Sequence, residues 1–586
     1  MYDLVIRNGL VVDGTGCEPC VADVAVKSGL ITQIGVGLEN GLEQIDADGY
    51  IVTPGFVDIH THYDGQATWD REMAPSSWHG VTTVVMGNCG VGFAPAKPDR
   101  HDWLIGLMEG VEDIPGTALA EGLTWNWESF PEYLDELERL PRTVDVGTHV
   151  PHGAVRAYVM GERGARNEAP TPADIAHMKS IVEDGLRAGA LGFSTSRTIL
   201  HKSMDGALVP GTTATKEELI GIGSAMGEVG HGVFEMASDL KRDWKEFEWM
   251  GELSRANGLP VTFAALQSIA KEMSLDEQLV AMREQNAQGA NIVAQIALRG
   301  TGVIMGWLGR AHPFRFKPSY AAIANAPWVE QLAQLQNPAF RRKLTSEANV
   351  FPPSDIADFQ QAVAGAWHLM FEMDKGFNYE PTAAESILVR AATKGVSPSE
   401  YAYDLLMKDC GKGFIYFPVL NYQDGNLDFL LPLQASGDCI NSLSDGGAHC
   451  GTICDAASPT YMLQHWVRDR VKGRISLQHA IQRQCRDTAR LYGLNDRGML
   501  APGYLADMNV IDLPSLKLGQ PWLAFDLPAG GKRLLQKAEG YVATIKRGQV
   551  TFRHGVMQGP TPGGLVRGPQ KAPRQTTKSP ALQAGA

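Results

Sequence analysis

Along the first 50 residues, apolar positions come in short β-branched runs separated by turn pairs. YDLVIRNGLVVDGTG and ADVAVKSGLITQIG carry Asn-Gly, Asp-Gly and Ser-Gly breaks. IDADGYIVTPGFVDIHTH adds a further turn, a strand and a Pro-Gly break. β-like runs return near the other end, in ADMNVIDL and EGYVATIKRGQVTFRHG. Strand clusters at both ends of a long middle predict one small β domain built from both termini.

The middle alternates between two periods. Apolar runs (VTTVVMGN, TVDVGTHV, LGFSTS, GVFEMAS, LPVTFAAL, ANIVAQIAL) sit between helix-patterned segments such as PADIAHMKSIVEDGLRAG, TKEELIGIGSAMGEVG and SLDEQLVAMREQNAQG. Strand alternating with helix means βαβ units and a parallel sheet. About eight such units over roughly 400 residues fit a closed (β/α)8 barrel with long loop insertions. An open doubly wound sheet is the rival, and no GxGxxG after a first strand supports it. The expected layout is residues 1–54 and 499–558 in the β domain, 55–498 in the barrel, and 559–586 as a tail. That tail is rich in Pro, Gly and Lys with few core formers, so disorder is expected wherever it is unpacked.

Composition narrows the function. Hydrophobic residues are 44% and charged residues 20%, ordinary for a soluble protein. A net charge of -14 argues against a nucleic-acid surface, which needs clustered Lys and Arg. Eight Cys in 586 residues are too sparse for a disulfide framework, and the Cys17/Cys20 pair has no second pair to complete a zinc site. The start, MYDLVIRNGLVVDG, lacks a signal-peptide pattern, and no apolar stretch of about 18 residues suggests a membrane span. A cytoplasmic protein is the expectation, with a small-molecule substrate as its partner. Large barrels often associate, so a homo-oligomer is compatible, although no motif specifies one.

Three positions carry candidate chemistry. His60 and His62 follow the run GFVDI, and residues at i and i+2 on a strand point to the same side. Both imidazoles could reach one metal, and zinc favours such ligands. Strand C-terminal ends line the active site of a barrel. Asp445, in NSLSDGGAHC, ends a short strand and could bind metal or act as general base, although Asp-Gly is also a common turn. Cys89, in VTTVVMGNCGVG, is either a thiolate ligand or a buried small residue.

Taken with PGFVDIHTHYD, PGYLADMNVID, GVTTVVMGNCG, VPHGAVRAYVMG and AGALGFSTS, these residues resemble the metal-dependent amidohydrolase superfamily, and within it the D-aminoacylase group. The resemblance extends to about residue 568. It implies a metal-bearing barrel with a small β-sandwich made from both termini. It also implies zinc, one or two ions, with another divalent metal compatible. His60 and His62 fall on the family's HxH, Cys89 on its cysteine ligand and Asp445 on its catalytic Asp. His152 falls on an HG turn and is a candidate oxyanion donor.

Two departures matter. The group supplies two further His from middle strands, but GVFEMASDL and PVTFAALQS contain none. Glu235 is the candidate substitute, and a mononuclear site from His60, His62 and Asp445 with Cys89 nearby is the leading expectation. The Arg that holds the substrate carboxylate is also missing, because Gly446 to His465 contains no Arg or Lys. Arg197, Arg299 and His449 are the candidate substrate contacts. The expected activity is hydrolysis of a linear amide by metal-activated water, with Asp445 as the base. A cyclic amidase of the dihydroorotase or hydantoinase kind is the alternative, and so is a non-catalytic ligand-binding scaffold.

Overall fold

The computed structural model describes residues 1–268, 271–352, 361, 363–374 and 376–574. Eight parallel strands form its centre: β1 Phe56–Asp58, β2 Val81–Met86, β3 Asp145–Pro151, β4 Gly192–Arg197, β5 Val233–Ser238, β6 Val261–Ala264, β7 Ile292–Ile296 and β8 Cys439–Asn441. Each pairs with the next in chain order. The sheet closes just past its two end strands. His62 N donates to Gly446 O at 2.8 Å and Asp445 N to His60 O at 3.2 Å. The barrel is therefore sealed by the segments that carry the candidate ligands.

The strands β2 to β5 are buried along their whole length. Their near-continuous apolar runs follow from cover on both faces. The helical segments end where their capping residues stand. Thr171 and Ser274 each form a reciprocal capping box, with Asp174 and Glu277, at the starts of Pro172–Ala188 and Leu275–Ala287. Pro172–Ala188 buries Met178, Val182, Gly185 and Leu186, one stripe at helical spacing.

A nine-stranded sheet draws on both ends of the chain, and Ile51–Pro54 runs antiparallel to Met508–Ile511 where they meet. Its core includes Leu4, Ile6, Val24, Val52, Val510 and Ile545. A buried ionic joint ties it to the barrel. Asp145, first residue of β3, meets Lys546 Nζ and Arg497 Nη1, each at 2.7 Å, and Lys546 also meets Asp507 at 2.6 Å. This joint lies at the strand-start end, opposite the candidate ligands.

Two features depart from the sequence expectation. Between β7 and β8 lies a second small sheet, Thr301–Met305 and Phe371–Met373 on either side of Phe414–Leu420. It has its own core around Trp307, Phe314, Tyr403 and Phe417. The tail is also packed along much of its length. Val146 N donates to Gly564 O at 2.9 Å, Val566 N to Val146 O at 2.8 Å, and Val566 is buried. Backbone pairing holds this stretch where apolar content does not. Residues 575–586 lie outside the described residues. Among the described residues no helix is long and apolar enough to cross a membrane.

Candidate metal centre

The ligand atoms of His60, His62 and Cys89 lie within 4.8 Å of one another, and all three residues are buried. Cys89 Sγ stands 3.5 Å from His60 Nε2. Asp445 Oδ1 completes the group, 3.4 Å from His60 Nε2 and 3.7 Å from His62 Nε2. Three donors from the ends of β1 and β2 thus meet, with the Asp445 carboxylate from beyond β8 beside both histidines, although 385 residues separate the first from the last in sequence.

Local backbone aims them. Cys89 (φ 56°) and Asp445 (φ 47°) occupy the left-handed region although neither is Gly. Such conformations cost roughly 1–3 kcal/mol and persist only where surroundings enforce them. Gly446 and Gly447 then pass directly beneath His62. A Cβ on Gly447 (φ +91°) would meet His62 O at 2.9 Å and the Tyr63 ring at 2.8 Å. The Asp-Gly-Gly sequence is therefore required by close approach as well as by turning.

Each imidazole is backed by a polar side chain. His60 Nδ1 lies 2.8 Å from Gln295 Oε1 on β7. Ser442 Oγ also donates to that oxygen at 2.8 Å, and Gln295 Nε2 donates to Thr262 Oγ1 at 3.0 Å. An acceptor at Nδ1 places the ring proton there and leaves the Nε2 lone pair facing Cys89 and Asp445. Behind His62 stands Glu112, whose Oε1 lies 3.3 Å from Nδ1 without a hydrogen bond between them. Glu112 is the last residue of the helix His101–Glu112 and is buried.

Burial sets the charge states. It lowers His62 to about 4, partly offset by Asp445, so this imidazole is neutral near pH 7, as a ligand must be. Burial would raise the Asp445 carboxyl. The His62 hydrogen bond and the nearby His60 and His449 outweigh that and hold it well below the usual carboxylate range. Burial and then the Glu235, Glu112 and Asp445 carboxylates push the Cys89 thiol up. A cation at this point would reverse that preference, because a coordinating thiol is deprotonated. Imidazole nitrogens, a sulfur and a carboxylate, converging and poor in other partners, fit a divalent metal of the zinc type.

The remaining expected residues are placed as follows. Glu235 Oε2 accepts from Cys89 N at 2.8 Å, so it braces the cysteine turn. Its Oε1 has no hydrogen-bond partner and lies 3.8 Å from His60 Nδ1, outside the converging set. Burial, with the Asp445 charge, raises this carboxyl to about 7. His449 lines the cavity, with Nε2 3.8 Å from Glu112.

Three expectations are corrected. His152 is spent on structure: Nδ1 lies 2.9 Å from Thr195 Oγ1 and Nε2 3.2 Å from Glu218 Oε1, which also takes Arg156. It does not line the cavity and offers no oxyanion donor. Arg197 Nε pairs with Glu246 at 2.7 Å and its guanidinium lies over Trp244. Arg299 is buried against Asp455 at 2.7 Å and 3.7 Å from the Tyr379 ring centroid. Each strand-end Arg therefore satisfies a buried carboxylate instead of facing the cavity.

The cavity above the centre has a volume of about 400 Å³. Its cations are Lys241 and Lys271, on the segments following β5 and β6. Burial lowers Lys271 to about 8, with Asp239 opposing that shift. Neither these lysines nor Glu112 and Gln295 stood out in the sequence. None sits in a spacing motif, and Glu112 and Gln295 reach the histidines only through contacts distant along the chain.

The profile of the amidohydrolase family matches residues 43–552. An uncharacterized protein of Mycobacterium tuberculosis (strain ATCC 25618 / H37Rv) is 26% identical over 599 residues, covering 95% of this chain and 93% of the relative. The D-aminoacylase of Alcaligenes xylosoxydans xylosoxydans is 34% identical over 221 residues, covering 37% of this chain and 41% of the enzyme. Among solved structures, a D-aminoacylase studied for its binuclear metal center superposes with a TM-score of 0.64 at 23% identity, covering 97% of this chain and 100% of that one. An N-acyl-D-glutamate deacylase from Bordetella bronchiseptica, complexed with zinc and a phosphonate inhibitor, gives 0.62 at 21%, covering 97% and 99%. These structures share the fold, and the profile spans most of the sequence: the chain belongs to the amidohydrolase family, in the neighbourhood of the D-aminoacylase group.

Proposed function

We propose that this amidohydrolase uses zinc to cleave a linear amide, an N-acyl amino acid or a related N-acyl compound. The observation that carries the reading is the convergence of His60, His62, Cys89 and Asp445 at the base of a closed-in cavity. A divalent metal held by these residues supplies Lewis-acid polarisation of a carbonyl and a lowered pKa for water. Asp445, kept ionised by its histidine neighbours, accepts the proton of the attacking water and passes it to the departing nitrogen. Gln295 holds the His60 imidazole so that its Nε2 stays aimed at the centre, and Glu112 stands 3.3 Å behind His62 Nδ1. Glu235 fixes the Cys89 turn.

Recognition of an anionic group falls to Lys271, with Lys241, in place of an Arg clamp. Lys271 and Lys241 line the cavity together with Asp239 and Glu272, and the partly buried Lys271 ammonium is the group that would take an anion. A carboxylate on the amine half of the substrate supplies that anion. The strand end that would carry a bridging carbamylated lysine in a cyclic amidase reads GFSTSR and has none.

The test is hydrolysis by zinc-loaded protein of a panel of N-acyl-D- and N-acyl-L-amino acids, run alongside Asp445→Asn. Amine release by the wild type, lost in the variant with metal content retained, is the expected result. A protein that binds zinc yet hydrolyses none of the panel would leave the ligand-binding scaffold as the better reading.

A further inference from the structure

One wall of the cavity has a feature that the metal centre does not need. Beside polar residues such as Ser238 and Thr301, the lining includes the apolar Val111, Ala264, Leu266, Leu420 and Leu443. It also includes Ile199 and Leu200, on the segment after β4. Both belong to the cavity wall, yet their side chains are 45% and 66% exposed. Met204, further along the same segment, is 53% exposed.

This lip is built, not loose. Ile199 N donates to Asp239 Oδ2 at 3.0 Å, and Thr198 Oγ1 donates to Asp239 Oδ1 at 2.5 Å. Leu200 N donates to Thr198 Oγ1 at 3.2 Å. Asp239 thus pins the backbone of the segment and leaves its two large aliphatic side chains toward water. Single exposed apolar residues need no explanation, but here two adjacent ones extend an apolar cavity wall to the outside.

Building on the hydrolase reading, we infer that the acyl half of the substrate is a long, unbranched apolar chain. It runs from the metal centre along the Leu266 and Leu420 wall and leaves the cavity over Ile199 and Leu200. An acetyl group would touch only the base of this wall. An amino-acid side chain is too short to span both the base and the lip.

The experiment is a chain-length series on one amino acid, from acetyl through butyryl, hexanoyl and octanoyl to dodecanoyl, on the zinc-loaded full chain. Each methylene buried against the wall is expected to raise kcat/KM about fourfold until the chain passes the lip. Leu200→Ser and Ile199→Ser remove apolar surface at exposed positions and spare the fold. They are expected to leave the acetyl substrate unchanged and to lower kcat/KM for octanoyl and longer substrates by about tenfold. A flat or falling series overturns the inference, as does an equal loss on short and long substrates. If no member is hydrolysed, the hydrolase reading fails separately. The lip is then tested by binding of decanoate against acetate, where at least tenfold tighter binding sustains it and equal binding overturns it.

Discussion

At the scale of single residues, what separates the ligands from their supports is how far each depends on distant contacts. His60 and His62 could be picked out because a strand's two-residue period puts both on one side. Cys89 and Asp445 could be picked out because each follows an apolar run. Glu112 could not, since nothing around it in DIPG or LMEGVE marks a metal neighbour, and only folding brings it to His62 Nδ1. Metal-binding imidazoles lose roughly 10- to 100-fold in metal affinity when such a partner is changed. Burial raises the Glu112 carboxyl, and a bound cation would favour its ionised form, so Glu112→Gln should weaken zinc binding by about that factor in a chelator competition, with unchanged thermal stability of the metal-free protein. Unaltered affinity would assign Glu112 to packing alone. Asp445→Asn should cost about 10²- to 10⁴-fold in kcat, the usual range for a positioned base. The misread residues have a common cause. Arg197, Arg299 and His152 sit at strand ends like the ligands, but their partners Glu246, Asp455 and Glu218 lie 49, 156 and 66 positions away. Sequence shows the donor and hides the acceptor that uses it up.

At the scale of elements, the barrel was readable because its alternation is repeated and capped. Turn pairs, capping residues and β-branched runs agree with the final structure, from VTTVVM to Leu275–Ala287. The sheet inserted before β8 was less readable, because its three strands are separated in sequence by helices and pair out of order. The closing turn offers a sharp element-level test. Gly447→Ala would force a Cβ against the His62 backbone in a left-handed conformation. Strain of roughly 1–3 kcal/mol is expected, with loss of metal from the displaced Asp445. The capping residue Ser274 is the control. Ser274→Ala should cost about 1 kcal/mol in unfolding measurements and leave metal content untouched. Equal effects of the two substitutions on metal content would show that the turn does not position the site.

At the scale of the whole molecule, function and cohesion occupy opposite ends of the barrel. The ligands stand at the strand ends, and the Asp145 joint ties the strand starts to the terminal sheet. Burial would raise the Asp145 carboxyl, but Lys546, Arg497 and Arg547 outweigh it and hold it far below its usual range. A carboxyl depressed in the folded state stabilises it above the unfolded pKa of about 3.9 and loses that contribution as pH falls further. Acid unfolding of the wild type should therefore steepen below about pH 4. Asp145→Asn, which strands buried cations, should cost about 3–5 kcal/mol at neutral pH and flatten that acid dependence. An Asn variant as stable as the wild type at pH 7 would mean the joint adds nothing. The central claim concerns the other end, and elemental analysis tests it most directly, counting divalent metal per chain in the wild type and in His60→Ala after both are offered zinc. About one zinc per chain in the wild type, lost in the variant, is the predicted result. No bound metal in the wild type, or the same content in both, would contradict the assignment of His60, His62, Cys89 and Asp445 as a metal centre.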